Sequence, residues 1–216
     1  MYVHFVRHGE TLHNRKGIHQ DGTVALGERG KAQIARTASR LTSFAITKLI
    51  TSDLRRAEES ARIIGNEIGL VPEPNPLFRE VRRPSELFDI KHISLKTLTV
   101  GLAMLFHLHD QEWHYSDEEN LYDLRTRIVS AVEYLKTLQG THEHVVVVSH
   151  SFFGTLLLKY MCKGKKVRIR DYVETLFFSK KLANGSISTL QLGDTTNPGT
   201  CDFVYMTVHD TTQPKA

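Results

Sequence analysis

Short apolar runs alternate along the chain with stretches whose apolar residues recur three and four positions apart. That alternation predicts the order of elements. Tyr2 to Val6 is an apolar run that reads as a buried strand, and it ends in Arg7-His8-Gly9-Glu10-Thr11. Thr11 to Gly22 lacks a clear period and predicts a short helix followed by a loop. Ala32, Ile34, Ala35, Ala38 and Leu41 form one stripe of a helix over roughly Gly30 to Thr42. Lys48 to Thr51 reads as a second strand. Ser52 or Asp53 is then placed to cap a helix over Leu54 to Ile68, which stops near Gly69.

After the proline-rich loop Pro72 to Pro76 the pattern changes. Val81 to about Asn120 does not fit a strand-helix repeat, although Leu98 to Leu108 is strongly apolar and predicts a helix. The segment reads as a partly helical cap packed over one edge of the sheet, within a single domain spanning 1–216. Leu124, Ile128, Ala131, Val132 and Leu135 mark a long helix over Leu121 to Leu138, with Gly140 closing it. Val145 to Val148 is apolar enough for a central strand, and Phe152 to Met161 predicts the next helix. Strands near Val173 to Phe178 and Ser186 to Leu192 are expected to flank the turn dipeptide Asn184-Gly185, and Phe203 to Val208 to add an edge strand. The class is α/β, with a parallel or mixed sheet joined by right-handed crossovers.

Composition changes this picture little. With 40% hydrophobic and 24% charged residues, a chain of 216 residues can bury a core. A net charge of +4 is a mild bias toward anionic partners, but the basic residues are spread along the chain, so no nucleic acid is expected. No apolar run approaches the roughly 18 residues of a membrane span, and the start runs straight into a strand. A cytoplasmic protein is expected, with Cys162 and Cys201 as reduced thiols and a frayed tail from His209 to Ala216.

The strand ends carry the candidate chemistry. His8 and His150 each follow an apolar strand, and Ser52-Asp53-Leu54-Arg55-Arg56 follows another. Open α/β sheets bind ligands at such carboxyl ends. Arg7, one of Arg55 and Arg56, and the two histidines would make a site for a phosphoryl group, whose oxygens accept from forked guanidinium donors. A spacing of two, as between His107 and His109, does not put helix residues on one face, so these and His114 read as cap residues, with no metal expected.

These same residues resemble the histidine phosphatase superfamily, which includes the cofactor-dependent phosphoglycerate mutases. Arg7-His8-Gly9-Glu10-Thr11 with Asn14, then Leu26 to Gln33, Ser52 to Ala57 with Ser60-Ala61, Glu80 in Leu77-Phe78-Arg79-Glu80, and Val148-Ser149-His150 match its motifs in order. The resemblance implies a three-layer α/β/α sandwich with a mostly parallel mixed sheet. It implies His8 as nucleophile, Glu80 as proton donor, and Arg7, Thr11, Asn14, Arg56 and His150 as phosphate ligands, with no cofactor. It selects Arg56 over Arg55. Arg82 and Arg83 follow Glu80 and are candidates for a second anionic group. After Glu80, however, Val-Arg-Arg-Pro-Ser-Glu-Leu lacks the glycine and tryptophan of the mutases, and Ser151 stands where a glycine is common. The expected activity is therefore hydrolysis of a small-molecule or peptide phosphomonoester. A mutase and a non-catalytic phospho-ligand module are the alternatives, and a homodimer is an open possibility, with the apolar cap stretch as a dimer contact.

Overall fold

The computed structural model describes residues 1–163, 168–177, 182–192 and 201–206, with side chains left aside at 162–163, 176–177 and 201–206. The side chains of Cys162 and Cys201, Phe178, the end of the expected edge strand and the tail from His209 lie outside the described residues.

In chain order the elements are β1 (Tyr2–Arg7), α1 (Leu12–Lys16), α2 (Glu28–Leu41), β2 (Ile46–Thr51), α3 (Arg55–Ile68), β3 (Glu73–Pro74), α4 (Leu95–Phe106), α5 (Leu121–Thr137), β4 (His144–Ser149), α6 (Ser151–Lys163), α7 (Ile169–Phe177), β5 (Ile187–Leu192) and β6 (Cys201–Met206). Their sheet runs β3-β2-β4-β1-β5-β6, parallel from β3 to β1 and antiparallel at β5 and β6.

The period of two along the strands builds the layers. Val145 and Val147 of β4, with Val3 and Phe5 of β1, face a core that includes Leu124, Ile128 and Leu135 of α5 and Phe153 and Leu156 of α6. Val146 and Val148, with Val6, face the other way onto Ile34, Ala38 and Leu41 of α2 and Ala57, Ala61 and Ile64 of α3. β4 therefore carries an unbroken run of four valines, Val145 to Val148, because both of its faces are covered. The result is the three-layer α/β/α sandwich.

Three local expectations change. Ile169–Phe177 is a helix, not a strand: buried Asp171, Tyr172 and Thr175 recur at helical spacing, and Asp171 accepts the Arg168 N–H at its start. The β-branched and aromatic content of the segment masks that period. Asn184-Gly185 turns the chain into β5 with no hairpin partner before it among the described residues, Gly185 having φ 71°. α3 is capped at Leu54 with no side-chain bond, while Ser52 Oγ accepts from the Leu54 N–H and Asp53 pairs with Arg79.

The segment 81–120 packs over the carboxyl ends of the strands rather than a sheet edge. Ile18 bridges to Lys91, the His19 N–H donates to the Ile90 carbonyl, and the His92 N–H donates to the Gly17 carbonyl. The acidic cluster is structural. Glu118 accepts the Tyr115 and Ser116 N–H groups, and Glu119 grips Arg127 of α5 through two bonds of 2.6 Å.

At the opposite end of β1, His4 is fully buried, bonded to Thr189 Oγ1 at 2.9 Å and His144 Nδ1 at 3.0 Å. Burial first, then His144, lowers its pKa from 6.5 to about 4. The unfolded chain takes up this proton near pH 6.5 and the folded chain only near pH 4. The His4 contribution to stability is thus complete above pH 6.5 and is lost as pH falls toward 4. Titration of the His4 ring by NMR in the folded protein should give a midpoint near 4, with urea midpoints falling across the same window; a ring midpoint near 6.5 would contradict the burial.

Candidate active site

Strand order β2-β4-β1 places three chain reversals side by side. The His8 N–H donates to the Ser149 carbonyl and the Ser52 N–H to the Val148 carbonyl, so the backbone pairing continues past the strand ends. His8 and His150 are brought together, with ring centroids 5.1 Å apart. The glycine beside His8 serves backbone packing: a Cβ on Gly9 would run into the Gly30 backbone, and one on Gly30 into Glu10. The start of α2 is thereby pressed against the histidine loop, which gives the Leu26 to Gln33 segment its part in the site.

His8 Nδ1 lies 2.7 Å from the Gly9 carbonyl oxygen. A carbonyl only accepts, so Nδ1 carries the proton and Nε2 is left with its lone pair. Burial, then Arg56, then Arg7 push the imidazole well below 6.5, so the ring is neutral at physiological pH. Burial is the largest of these causes, ahead of both arginines. His150 is lowered well below 6.5 for the same first two reasons.

The two guanidinium groups are buried. Arg56 donates to the Asp21 carbonyl at 2.7 Å and Arg7 to the Leu182 carbonyl, while Nε of each has no protein partner among the described residues. Burial lowers both from 12.5 to about 10, opposed by the Glu80 charge, and both remain cationic at neutral pH. Arg55 instead faces solvent and pairs with Glu59. Two buried cations with unspent donors and two neutral imidazoles form a receptor for a dianion.

Glu80 is held at the start of α6. Its carboxylate accepts from the Phe152 and Phe153 N–H groups at 3.2 and 2.9 Å, and from its neighbour Val81. The loop that presents it is clamped by Arg127, which donates to the Leu77 and Arg79 carbonyls and lies 4.4 Å over the Phe153 ring.

Arg7, Asn14, Arg56, Glu80, Arg82 and Arg83 are among the residues lining a cavity of about 270 Å³. Asn14 Oδ1 accepts from the Thr11 and Asn184 amides, which turns its NH₂ away from them. Thr11 is spent locally, capping α1 and donating to Gln20 Oε1. It positions the loop, and the cavity wall lacks it. Of the cap histidines, His107 stacks on Trp113 and His114 pairs with Asp123.

Ser52 is the residue that sequence reasoning places wrongly, as a cap. Its Oγ accepts from the Leu54 N–H and lies 2.8 Å from His150 Nε2, a bond whose direction follows the His150 tautomer. With the hydroxyl as donor, His150 is the Nδ1–H tautomer, and Nδ1 is buried without a protein partner among the described residues. In that tautomer Ser52 would be a positioning residue that leaves His150 Nδ1–H to donate to a bound anion. Ser52→Ala should lower kcat/KM by about ten- to a hundredfold, with the loss recovered in Ser52→Thr, and ¹⁵N NMR should show a mixed His150 tautomer. A single unchanged tautomer in Ser52→Ala would refute the role.

Comparison with known proteins shows a family and a fold. Residues 3–196 match the profile of the Histidine phosphatase superfamily (branch 1). The chain is 29% identical over 159 residues, 69% of either protein, to a protein of Enterobacter sp. (strain 638) named "Probable phosphoglycerate mutase GpmB". A Yersinia pestis (strain Pestoides F) protein of the same name is 38% identical over 82 residues, 38% of either chain. The solved alpha-ribazole phosphatase from Shigella flexneri superposes with a TM-score of 0.73 at 18% identity, over 96% of each chain. The mycobacterial glucosyl-3-phosphoglycerate phosphatase complexed with VO3 superposes with 0.70 at 23% identity, over 88% of this chain and 92% of that one. At such identities these two likenesses speak for the fold.

Proposed function

This chain belongs to the histidine phosphatase superfamily, and from that premise we propose that it is a metal-independent phosphatase that hydrolyses a phosphomonoester through a phosphohistidine on His8. The observation that carries the reading is the state of His8: neutral, with Nδ1 bonded to the Gly9 carbonyl and Nε2 left with its lone pair in the field of two buried arginines. A neutral imidazole facing cations is a ready nucleophile for a bound phosphoryl group.

In the first step His8 Nε2 forms a bond to phosphorus as the bond from phosphorus to the ester oxygen breaks. Glu80, taking up a proton as the anionic substrate binds, gives it to the leaving alkoxide. Arg7, Arg56 and the Nδ1–H of His150 bind the equatorial oxygens as charge spreads over them. In the second step Glu80, now a carboxylate, takes a proton from water as that water attacks phosphorus, and the N–P bond breaks to release phosphate and restore His8. The arginines supply the positive charge that a metal ion supplies in other phosphatases. Arg82 and Arg83 line the same cavity, Arg83 lying 5.9 Å over the Phe152 ring, and they suit a substrate with a second anionic group.

A panel of sugar, nucleotide, carboxylic-acid and peptide phosphomonoesters, with and without chelator, tests the reading. Free phosphate released at a rate indifferent to chelator is expected. Isomerised ester without free phosphate would assign a mutase instead, and turnover abolished by chelator would refute the mechanism.

A further inference from the structure

The cap helix α4 turns an apolar face to solvent. At 100° per residue, Leu95, Leu98, Thr99, Leu102 and Phe106 fall within a sector of about 100°. Leu95 is 77% exposed, Leu98 58%, Leu102 45% and Phe106 82%, and Ile93 just before the helix is 95% exposed. Val100, on the opposite side, is the buried residue of the helix. A continuous stripe of this kind is unusual on a protein that works alone. The stripe lies apart from the phosphate site, and its role is independent of the proposed activity.

We infer that α4 is the contact between two copies of this chain, packed antiparallel across a two-fold axis near Val100 and Gly101. Two observations select a second copy as the occupant. The first is that the stripe is its own complement. Reversing the helix about a point between residues 100 and 101 brings Leu95 level with Phe106 of the partner subunit and Leu98 within one residue's rise, about 1.5 Å, of Leu102 of the partner subunit, so large side chains meet on either side of the axis. A two-fold interface requires that self-complementarity, because the same patch serves both sides.

The second observation is charge. The entry to α4 carries exposed Lys91 and Lys96 beside Asp89, which is paired with His13, and the exit carries exposed Asp110 and Glu112, so that Lys91 comes level with Asp110 of the partner subunit. Antiparallel packing lays the basic end of one copy beside the acidic end of the other at both rims, whereas parallel packing would set like beside like. A uniformly anionic surface, such as a lipid headgroup layer, would meet the acidic end unfavourably. The stripe alone is smaller than the roughly 800 Å² that each partner of a standard interface buries, so the charged ends belong to the contact as its polar rim.

The contact also bears on the cavity. Residues 90–92, immediately before α4, hold the Gly17 to His19 loop through the Ile18–Lys91 bridge and the bonds to Ile90 and His92, and Ile18, His19 and Gln20 line the cavity. Docking a second copy on α4 therefore braces the wall of the site from outside.

Sedimentation velocity of the full chain across micromolar to submillimolar concentrations tests the inference. The wild type should sediment as a dimer. Leu98→Glu/Leu102→Glu should be monomeric with an unchanged circular dichroism spectrum, because both side chains are exposed in the single chain. Lys91→Glu/Lys96→Glu should weaken association at least tenfold, and adding Asp110→Lys/Glu112→Lys to it should restore association. A wild type that stays monomeric would overturn the inference, and one that instead co-sediments with phosphatidylglycerol vesicles would assign the face to lipid. A dimer that survives Leu98→Glu/Leu102→Glu, or a charge reversal that is not rescued, would overturn the antiparallel pairing.

Discussion

His8→Ala is expected to reduce phosphate release by about four orders of magnitude or more, the loss typical of a covalent nucleophile removed from a group that acts as a unit. The basis is specific to one atom. Nδ1 is committed to the Gly9 carbonyl, so Nε2 alone can attack. His150 is not placed to take over: its ring centroid lies 5.1 Å away and its Nε2 is engaged by Ser52. The variant should retain the fold, because the backbone pairing of residue 8 to Ser149 does not involve the ring. It should also retain affinity for phosphate or vanadate, since Arg7, Arg56 and His150 remain. Turnover within tenfold of wild type would remove His8 from the chemistry.

Arg56→Ala is expected to cost about a thousandfold or more in kcat/KM, on the scale found when a guanidinium is withdrawn from a phosphoryl-transfer transition state. Arg56 is 2% exposed and cationic despite its burial, and its unspent Nε points to a ligand that brings the missing negative charge. Without an anion, two buried arginines near each other raise the energy of the site. With one, their donors are satisfied, which is why charge is recognised so strongly here. Arg56→Lys keeps the charge but loses the fork and the reach to Asp21, so a smaller loss of about ten- to a hundredfold is expected. Arg55→Ala, which removes an exposed pair with Glu59, should leave turnover unchanged. Equal losses in the Arg55 and Arg56 variants would undo the assignment.

Much of this site is legible in the sequence because it hangs on strand ends. The apolar runs before His8 and His150 are buried strands with sharp ends, and a parallel sheet aligns such ends without regard to what lies between them. Arg56 is told from Arg55 by the family resemblance, and the structure then buries it as the second residue of α3 while Arg55 faces solvent. What stays hidden is carried by pairs far apart in the chain. Ser52 looks like a helix cap until β4 brings His150 beside it, 98 residues later. Arg127 looks like an ordinary helix residue until Glu119 and the Leu77 and Arg79 carbonyls converge on it. Thr11 matches a motif, but only the fold shows its hydroxyl turned to Asn14 and Gln20. The α7 segment is open to misreading because valine, tyrosine and phenylalanine suit strands, while the deciding signal is the spacing of a buried aspartate and threonine. The cap falls between these cases. Its helix is plain in the sequence, but that its apolar residues face outward is a property of how the cap sits on the Gly17 to Gln20 loop.

The mechanism rests on a covalent bond between phosphorus and His8 Nε2, and that bond can be observed. Wild-type protein mixed with a good phosphomonoester substrate should be quenched in alkali within a turnover, digested and mapped by mass spectrometry. The mechanism predicts one phosphate on the peptide containing Arg7-His8-Gly9, stable in base, labile in acid, and absent from His8→Ala. Rapid turnover with no phosphate on His8 at any quench time, or phosphate on a different residue, would contradict it.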